Sequence, residues 1–221
     1  MGSEDSSGSA SRLDQITTTT ATAINVTGNA NLTIDTALDA TTATVDASAF
    51  TGNLSIVTAN DAAPNGTVGG VDIADMTITG GSGNDTLNVS AAAANNELNI
   101  NGGAGNDTVT VGAGALAAAT ATNAGDTLVG GDGTDVLAST SAGLTAQSAA
   151  GTTGVSGFET LRVTNALSTT VTVANVQATG IETVNLAAGG TGTIVGPAGS
   201  LNVTLGAALA GGALTLTDTG T

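Results

Sequence analysis

Short runs of alternating apolar and polar residues recur along the chain at a constant step. Four such triplets, LTI, LSI, MTI and LNI, begin at Leu32, Leu54, Met76 and Leu98, each 22 residues after the one before. A second alternating run follows about half a period later, around Val45 and Val68 and at 87–89 and 109–111. Alternation with a period of two, bounded by Gly, Asn and Asp, is typical of β-strands.

This repeat predicts an all-β fold, a parallel β-solenoid with coils of roughly 22 residues and two short strands in each coil. Successive coils would stack at the interstrand spacing of roughly 4.8 Å. The four triplets should then form one column. After Val111 the register lengthens, because aligning Ile100 with Leu128 gives a step of 28 residues. We expect a longer loop in that coil.

The pattern divides the chain into three parts. Residues 1–15 have the composition of a flexible linker or a cloning scar, residues 16–140 form the main β-solenoid, and residues 141–221 form a β-rich continuation. The continuation contains a second recurring element, GFETLRV at 157–163 and GIETVNL at 180–186. The segment 141–154 is the expected joint, and no stretch has convincing helical periodicity.

Three stretches follow the pattern G-G-x-G-x-D-x-U-x, in which U is a large aliphatic residue. They read GGSGNDTLN at 80–88, GGAGNDTVT at 102–110 and GGDGTDVLA at 130–138. Glycine permits a positive φ and a tight turn, which can direct carbonyl oxygens at a cation. The aspartate supplies a hard anionic oxygen of the kind that Ca²⁺ prefers. These loops are therefore candidate calcium sites, so we expect residues 16–140 to be a calcium-binding solenoid and residues 141–221 to lack clear metal motifs.

Stacking of the coils explains why a cation is needed. The 22-residue step puts Asp85 beside Asp107, and two carboxylates about 5 Å apart repel by roughly 3 kcal/mol at an effective dielectric of about 20. A cation between them converts repulsion into coordination, so we expect these coils to fold when Ca²⁺ binds. Asp135 and Asp132 in the third loop, and Asp126 just before it, are the further candidate ligands.

A simpler alternative is that these aspartates only form Asx-turns beside glycine. Asn84 and Asn106 are expected to cap turns rather than to bind metal. Glu97 is expected to be a surface residue on the opposite edge of the solenoid.

Composition removes several classes of function. The net charge is −16, and Arg12 and Arg162 are the only basic residues. This balance argues against nucleic acid and against membranes, and no apolar run approaches the roughly 18 residues of a membrane span. Without His, Cys or Lys the usual nucleophile–base pairs are missing, so we expect no enzyme activity. The near absence of aromatic residues favours a thin core.

The three nonapeptides resemble the RTX calcium-binding repeats, and DTLVGGDGTDVL followed by GFETLRV is similar to the surface-layer (S-layer) proteins of Caulobacter-type bacteria. The resemblance implies type I secretion and a right-handed β-roll with Ca²⁺ bound by Asp85, Asp107 and Asp135. It also implies carbonyl or turn positions at Gly81, Gly83, Gly103, Gly105, Gly131 and Gly133. The chain differs from the RTX roll in having single rather than tandem nonapeptides in each coil.

These observations lead to one principal hypothesis, a non-enzymatic structural module of a secreted bacterial surface-layer protein that folds and assembles with Ca²⁺. Its location would be extracellular, at the bacterial cell surface. Expected partners are further copies in a lattice or filament, and a cell-surface polysaccharide is a second candidate. The alternatives are an RTX adhesin or spacer module and a calcium-dependent accessory module of a secreted enzyme. The lack of an evident C-terminal secretion segment suggests a fragment of a larger protein.

Overall fold

The computed structural model describes twelve segments of the chain. They are residues 11–13, 22–38, 42–58, 67–68, 71–72, 76–92, 97–112, 126–150, 154–177, 179–197, 200–207 and 213–218. Neither of the two helices within these segments is long and apolar enough to cross a membrane.

The described segments form short strands and two helices. In chain order they are β1 (Ser11–Leu13), β2 (Ala23–Asn25), β3 (Leu32–Ile34), β4 (Thr44–Asp46), β5 (Leu54–Val57), β6 (Thr67–Val68), β7 (Val71–Asp72), β8 (Met76–Thr79), β9 (Thr86–Val89), β10 (Leu98–Ala104), β11 (Thr108–Val111), β12 (Thr127–Asp132), β13 (Val136–Ser139), α1 (Ser141–Ala150), β14 (Val155–Ser156), β15 (Thr160–Val163), β16 (Thr170–Thr172), α2 (Val173–Val176), β17 (Thr183–Leu186), β18 (Thr193–Gly196), β19 (Asn202–Leu205) and β20 (Thr215–Asp218).

Three parallel sheets make the walls of a solenoid, as the repeat predicted. The long sheet has nine strands in the order β1-β3-β5-β9-β11-β13-β15-β17-β19. The second sheet has six strands in the order β14-β12-β10-β8-β4-β2, and the third has β16-β18-β20. Each sheet takes one strand from each successive coil, so neighbouring strands run parallel. The fold is therefore an all-β parallel β-solenoid with little helix.

The register confirms the lengthened coil. Ile100 in β10 lies opposite Leu128 in β12, as the 28-residue step predicted. Val109 likewise lies opposite Leu137 in the long sheet. The loop that should contain the extra residues falls within 113–125, which lies outside the described residues.

The prediction that the four triplets form one column is wrong. Leu32 does pair with Leu54 in the long sheet, and Met76 does pair with Leu98, but this second pair lies in the second sheet. Between Leu54 and Met76 the chain forms an additional antiparallel hairpin of β6 and β7, where Val68 was expected to belong to a wall strand. Strands of both walls alternate with the same period, so the triplets alone do not reveal which wall they occupy.

The core consists of single aliphatic columns that run along the solenoid axis. One column of the long sheet contains Leu87, Val109, Leu137, Leu161 and Val184, all of which are fully buried. Each side chain packs mainly on its neighbours one coil above and below, as in other solenoids. This thin core needs aliphatic rather than aromatic residues, which agrees with the composition.

The solenoid continues beyond the third glycine loop. Strand β13 pairs with β15, and β15 pairs with β17 at the 23-residue step of the GFET and GIET elements, with Thr160 opposite Thr183. The long sheet therefore runs without a break across residue 140.

The segment 141–154, which was expected to be a joint, contains a helix that the sequence periodicity did not predict. Helix α1 begins after Thr140, whose side-chain oxygen accepts the Gly143 N–H at 3.2 Å as an N-terminal cap. Helix α1 packs against α2 and β16. Leu144 is its one fully buried large apolar residue, so the helix lacks the repeating apolar face that would predict it.

Replacing a single column residue should be costly. We expect Leu137→Ala to lower the free energy of unfolding by about 2–5 kcal/mol, because a thin core cannot collapse around the cavity. The adjacent Val136 points to the other side of the same strand and is half-buried, so Val136→Ala is the matched control. Chemical denaturation at saturating Ca²⁺ measures both. Equal losses for the two variants would contradict the column description.

Candidate metal centre

The three glycine loops lie above one another at one corner of the solenoid. Each connects the end of a second-sheet strand to the start of a long-sheet strand, from β8 to β9, from β10 to β11 and from β12 to β13. The pairing extends into the loops, since Gly103 lies opposite Gly131 and Ala104 opposite Asp132. The motif residues of successive coils therefore come into contact.

Close approach of the coils explains the glycines. Gly103, Gly105, Gly131 and Gly133 have φ between 106° and 140°, in the left-handed region that favours glycine. A Cβ on Gly131 would overlap the carbonyl oxygen of Gly103, and one on Gly133 would overlap that of Gly105. In the first loop Gly81 and Gly83 do not have a positive φ. There the requirement is contact alone, with the backbone of Phe50 and Gly52.

The motif aspartates form a continuous row of carboxylates. Asp107 Oδ1 accepts the backbone N–H of Asp85, and Asp135 Oδ1 accepts that of Asp107, each at 2.7 Å. At the start of the row, Asp85 Oδ1 accepts the N–H of Leu54 at 2.8 Å. Asp85, Asp107 and Asp135 are all at most 1% exposed. The stacking of Asp85 on Asp107 is confirmed, and the longer coil does not prevent Asp107 from stacking on Asp135.

The second oxygens of this row are unevenly satisfied. Asp85 Oδ2 accepts the N–H of Gly81 at 2.8 Å. The Oδ2 atoms of Asp107 and Asp135 are buried and have no hydrogen-bond partner. Buried polar atoms are nearly always paired, and an unpaired buried carboxylate oxygen is costly. A bound cation would satisfy these two atoms.

Each Oδ2 faces a small cradle above the first glycine of its own motif. A Cβ placed on Gly80 would lie 2.6 Å from Asp85 Oδ2, and one on Gly130 would lie 2.8 Å from Asp135 Oδ2. The same two positions would also overlap a carbonyl oxygen from the next coil, that of Gly102 above Gly80 and that of Gly157 above Gly130. Gly102 repeats the arrangement with Asp107 and the Gly130 carbonyl. A carboxylate and a carbonyl oxygen therefore converge at each cradle.

Burial and like charge act together on the row. Burial raises the pKa of Asp107 to about 6, and the charges of Asp85 and Asp135 add to this effect, while the backbone hydrogen bond from Asp85 opposes it. Burial also raises the pKa of Asp85 and of Asp135. For Asp135 the charges of Glu159 and Asp132 contribute further. The fold thus holds anionic groups close together in a site that disfavours their charge.

These residues fit Ca²⁺. The ion prefers six to eight oxygen ligands and tolerates irregular geometry, and carboxylate with backbone carbonyl oxygen is its usual donor set. Asp85, Asp107 and Asp135 would hold it together with carbonyls of the glycine turns. Bound Ca²⁺ would supply the positive charge that balances the buried carboxylate oxygens. Among the described residues no three acidic side chains converge on one metal position, so carbonyl oxygens must complete each site.

An asparagine row runs beside the carboxylates with the opposite direction of bonding. Asn84 Oδ1 accepts the N–H of Asn106 at 2.8 Å, and Asn106 Oδ1 accepts that of Thr134 at 2.9 Å. Asn31 and Asn53 begin the same row two coils earlier. Asn84 and Asn106 therefore bridge coils, beyond the turn-capping role expected for them. Asn84 is linked to the following coil through its side-chain oxygen, and the adjacent Asp85 is linked to it through its backbone N–H.

The other candidate acids lie in different places. Asp132 ends β12 and is exposed, near enough to Asp135 to raise its pKa. Asp126 lies at the opposite end of β12, where its Oδ1 accepts the N–H of Leu98 at 2.9 Å, and it does not join the row. Glu97 is only 2% exposed, so the expectation that it is a surface residue is wrong. The backbone carbonyl of Glu97 accepts the N–H of Met76, so the backbone at Glu97 is hydrogen-bonded to the neighbouring coil.

Comparison with known proteins agrees with this geometry. The model of the RTX calcium-binding nonapeptide repeat matches residues 77–91, 99–115 and 120–139. No curated protein and no solved structure gives a match. The matches support the RTX repeat family for these coils, and RTX calcium-binding repeats imply that the chain binds Ca²⁺. Repeats of this kind are typical of secreted proteins.

Two parts of the site were not identified from sequence. The cradles are built on Gly80, Gly102 and Gly130, the first glycine of each motif, whereas the second and fourth positions were predicted. That first glycine occurs in all three motifs, so the signal was present. Glu159 also joins the row, by accepting the Asp135 N–H through Oε2 at 2.7 Å. Ligation by the predicted aspartates and glycines stays a prediction.

The raised pKa of Asp107 gives the metal-free chain a defined pH dependence. Its pKa is about 6 in the fold against the ordinary 3.8. The folded state therefore binds a proton more tightly than the unfolded state, and this stabilisation is complete below pH 3.8 and lost as the pH rises through 6. We expect metal-depleted protein to melt at a higher temperature at pH 5 than at pH 7, by circular dichroism. Asp107→Asn should weaken this dependence, and a melting temperature that rises with pH would contradict it.

Proposed function

We propose that this chain is a non-enzymatic structural module of a bacterial surface-layer protein, which folds and assembles with Ca²⁺ at the cell surface. The observation that carries the proposal is the row of stacked, buried carboxylates within coils that match the RTX repeat. A row of this kind uses cations to join coils. Its residues are enclosed between backbone segments, which suits a structural role better than contact with a substrate.

The last described coil supports self-association. Among the described residues, β19 and β20 are the outermost strands of their sheets. Leu205 and Leu216 are 49% and 60% exposed, although they continue the columns of the buried Leu186 and Ile194. A parallel edge beside exposed column leucines is suited to receiving a further coil, either from a longer chain or from a second copy. A coil of a second copy is the partner that we propose.

Folding of the central coils should depend on calcium through the carboxylate row. We expect Ca²⁺ to increase the β-sheet circular dichroism of the wild-type chain, because it neutralises the row. Asp107→Asn keeps the oxygen that accepts the Asp85 N–H but removes the charge, so half-maximal folding should require at least roughly tenfold more Ca²⁺. Asp46→Asn is the control, since Asp46 is exposed and outside the row. Identical spectra with and without chelator would contradict the calcium-dependent fold.

Assembly separates the surface-layer proposal from its alternatives. Electron microscopy of the wild-type chain after Ca²⁺ addition should show ordered sheets, while the double variant Leu205→Asn and Leu216→Asn should lose them and still fold. Asn99→Ser, on the exposed side of β10, is the control that should assemble normally. Monomers at saturating Ca²⁺ that nevertheless attach to cells would favour the adhesin or spacer alternative. An accessory role would instead require Ca²⁺-dependent stabilisation of an attached catalytic domain.

A further inference from the structure

The carboxylate row extends one coil beyond the last glycine loop. Glu159 precedes β15 at the position that Asp135 occupies before β13, since Val136 lies opposite Thr160. Glu159 Oε2 accepts the Asp135 N–H at 2.7 Å. Asp135 Oδ1 makes the same contact with Asp107, at the same distance. The longer glutamate side chain therefore performs the bridging role of the motif aspartates in a turn that is not a nonapeptide.

The cradle beneath this turn is complete. Above Gly130, the carbonyl oxygen of Gly157 and Asp135 Oδ2 take the places that the Gly130 carbonyl and Asp107 Oδ2 take above Gly102. Asp135 is fully buried, and its Oδ2 has no hydrogen-bond partner. The unsatisfied Asp135 Oδ2 and the Gly157 carbonyl oxygen therefore both lie against Gly130, between the third glycine loop and the GFE turn.

We propose that Glu159 is a calcium ligand that completes a further site, between its own coil and the coil of Asp135. Asp135, Glu159 and the Gly157 carbonyl would hold the ion, with Asp132 nearby as an additional acidic group. This donor set is the oxygen-only set that Ca²⁺ prefers. The proposal rests on calcium binding by the rest of the row. It adds a site formed by a residue outside the repeat motif.

Two features of the structure explain why the carboxylate row does not continue beyond Glu159. The turn between Gly157 and Glu159 contains only Phe158, which is fully buried. The corresponding loop of the preceding coil, between Gly130 and Asp135, contains residues 131–134. Gln177 then satisfies the backbone of this turn, because its Oε1 accepts the Phe158 N–H at 3.1 Å and its Nε2 donates to the Phe158 carbonyl at 2.8 Å. The Phe158 carbonyl oxygen therefore already accepts a hydrogen bond from the Gln177 amide. Glu182, the equivalent residue one coil later, is exposed.

The stoichiometry of bound Ca²⁺ tests the proposal. Equilibrium dialysis with radioactive calcium should show that Glu159→Gln binds one ion fewer than the wild-type chain. The glutamine keeps an oxygen for the Asp135 N–H and removes only the charge. Glu182→Gln is the matched control, with the same substitution at the same coil position, and it should bind as many ions as the wild-type chain.

A second measurement separates ligation from a structural role. Thermal unfolding of metal-depleted protein should show Glu159→Gln to be at least as stable as wild type, because a negative charge beside Asp135 has been removed. A metal-depleted variant that is less stable than wild type would overturn the proposal, as would equal stoichiometry in Glu159→Gln and wild type. If the wild-type chain bound no Ca²⁺, the proposed function would fail as well, so the two failures are distinguishable.

Discussion

The structure depends on the short and constant distance between successive coils. Parallel pairing places equivalent residues of neighbouring coils at the interstrand spacing of roughly 4.8 Å, so each side chain meets its own counterpart in the next coil. For Leu137 this produces a buried aliphatic column, and for Asn84 it produces a chain of hydrogen bonds. For Asp107 it produces like charges in contact within a buried row. The same geometry that stabilises the first two arrangements produces repulsion in the third, which a bound cation would offset.

Sequence periodicity was sufficient to predict the class of fold and the row at its centre. The 22-residue step placed Asp85 beside Asp107 because a motif fixes the register of its own strand, whereas the contact of Asp107 with Asp135 across the longer coil was established by the structure. Register was lost between Leu54 and Met76, where an extra hairpin moves the pattern from one wall to the other and alternation is the same in both. Glu97 and Glu159 were missed because their positions depend on stacking across coils. Residue type predicts solvent exposure for an isolated acid, but not for one held by a neighbouring coil.

The two polar rows have opposite directions, and this couples the coils from both sides. Asn84 accepts an N–H from the following coil, and Asp85 donates its own N–H to the carboxylate of that coil. Adjacent residues thus fix the spacing at this corner twice, with one neutral bond and one charge-assisted bond. Hydrogen-bond chains of this kind strengthen one another. A row linked in this way is suited to respond to the metal as a unit, because each coil positions the ligands of the next.

The turn at Phe158, whose backbone is hydrogen-bonded by Gln177, has a consequence for the whole length of the solenoid. Below it, Asp85, Asp107 and Asp135 place a buried carboxylate in each of three successive coils. Above it, the turn backbone is satisfied by an amide side chain and filled by apolar residues, with Ile181 buried in the place of Phe158. In a solenoid, stability is the sum of local coil and interface contributions, so bound Ca²⁺ would act mainly on the coils that contain the buried carboxylates. A section without buried carboxylates would present a preformed edge, on which the central coils would become ordered one after another as Ca²⁺ binds.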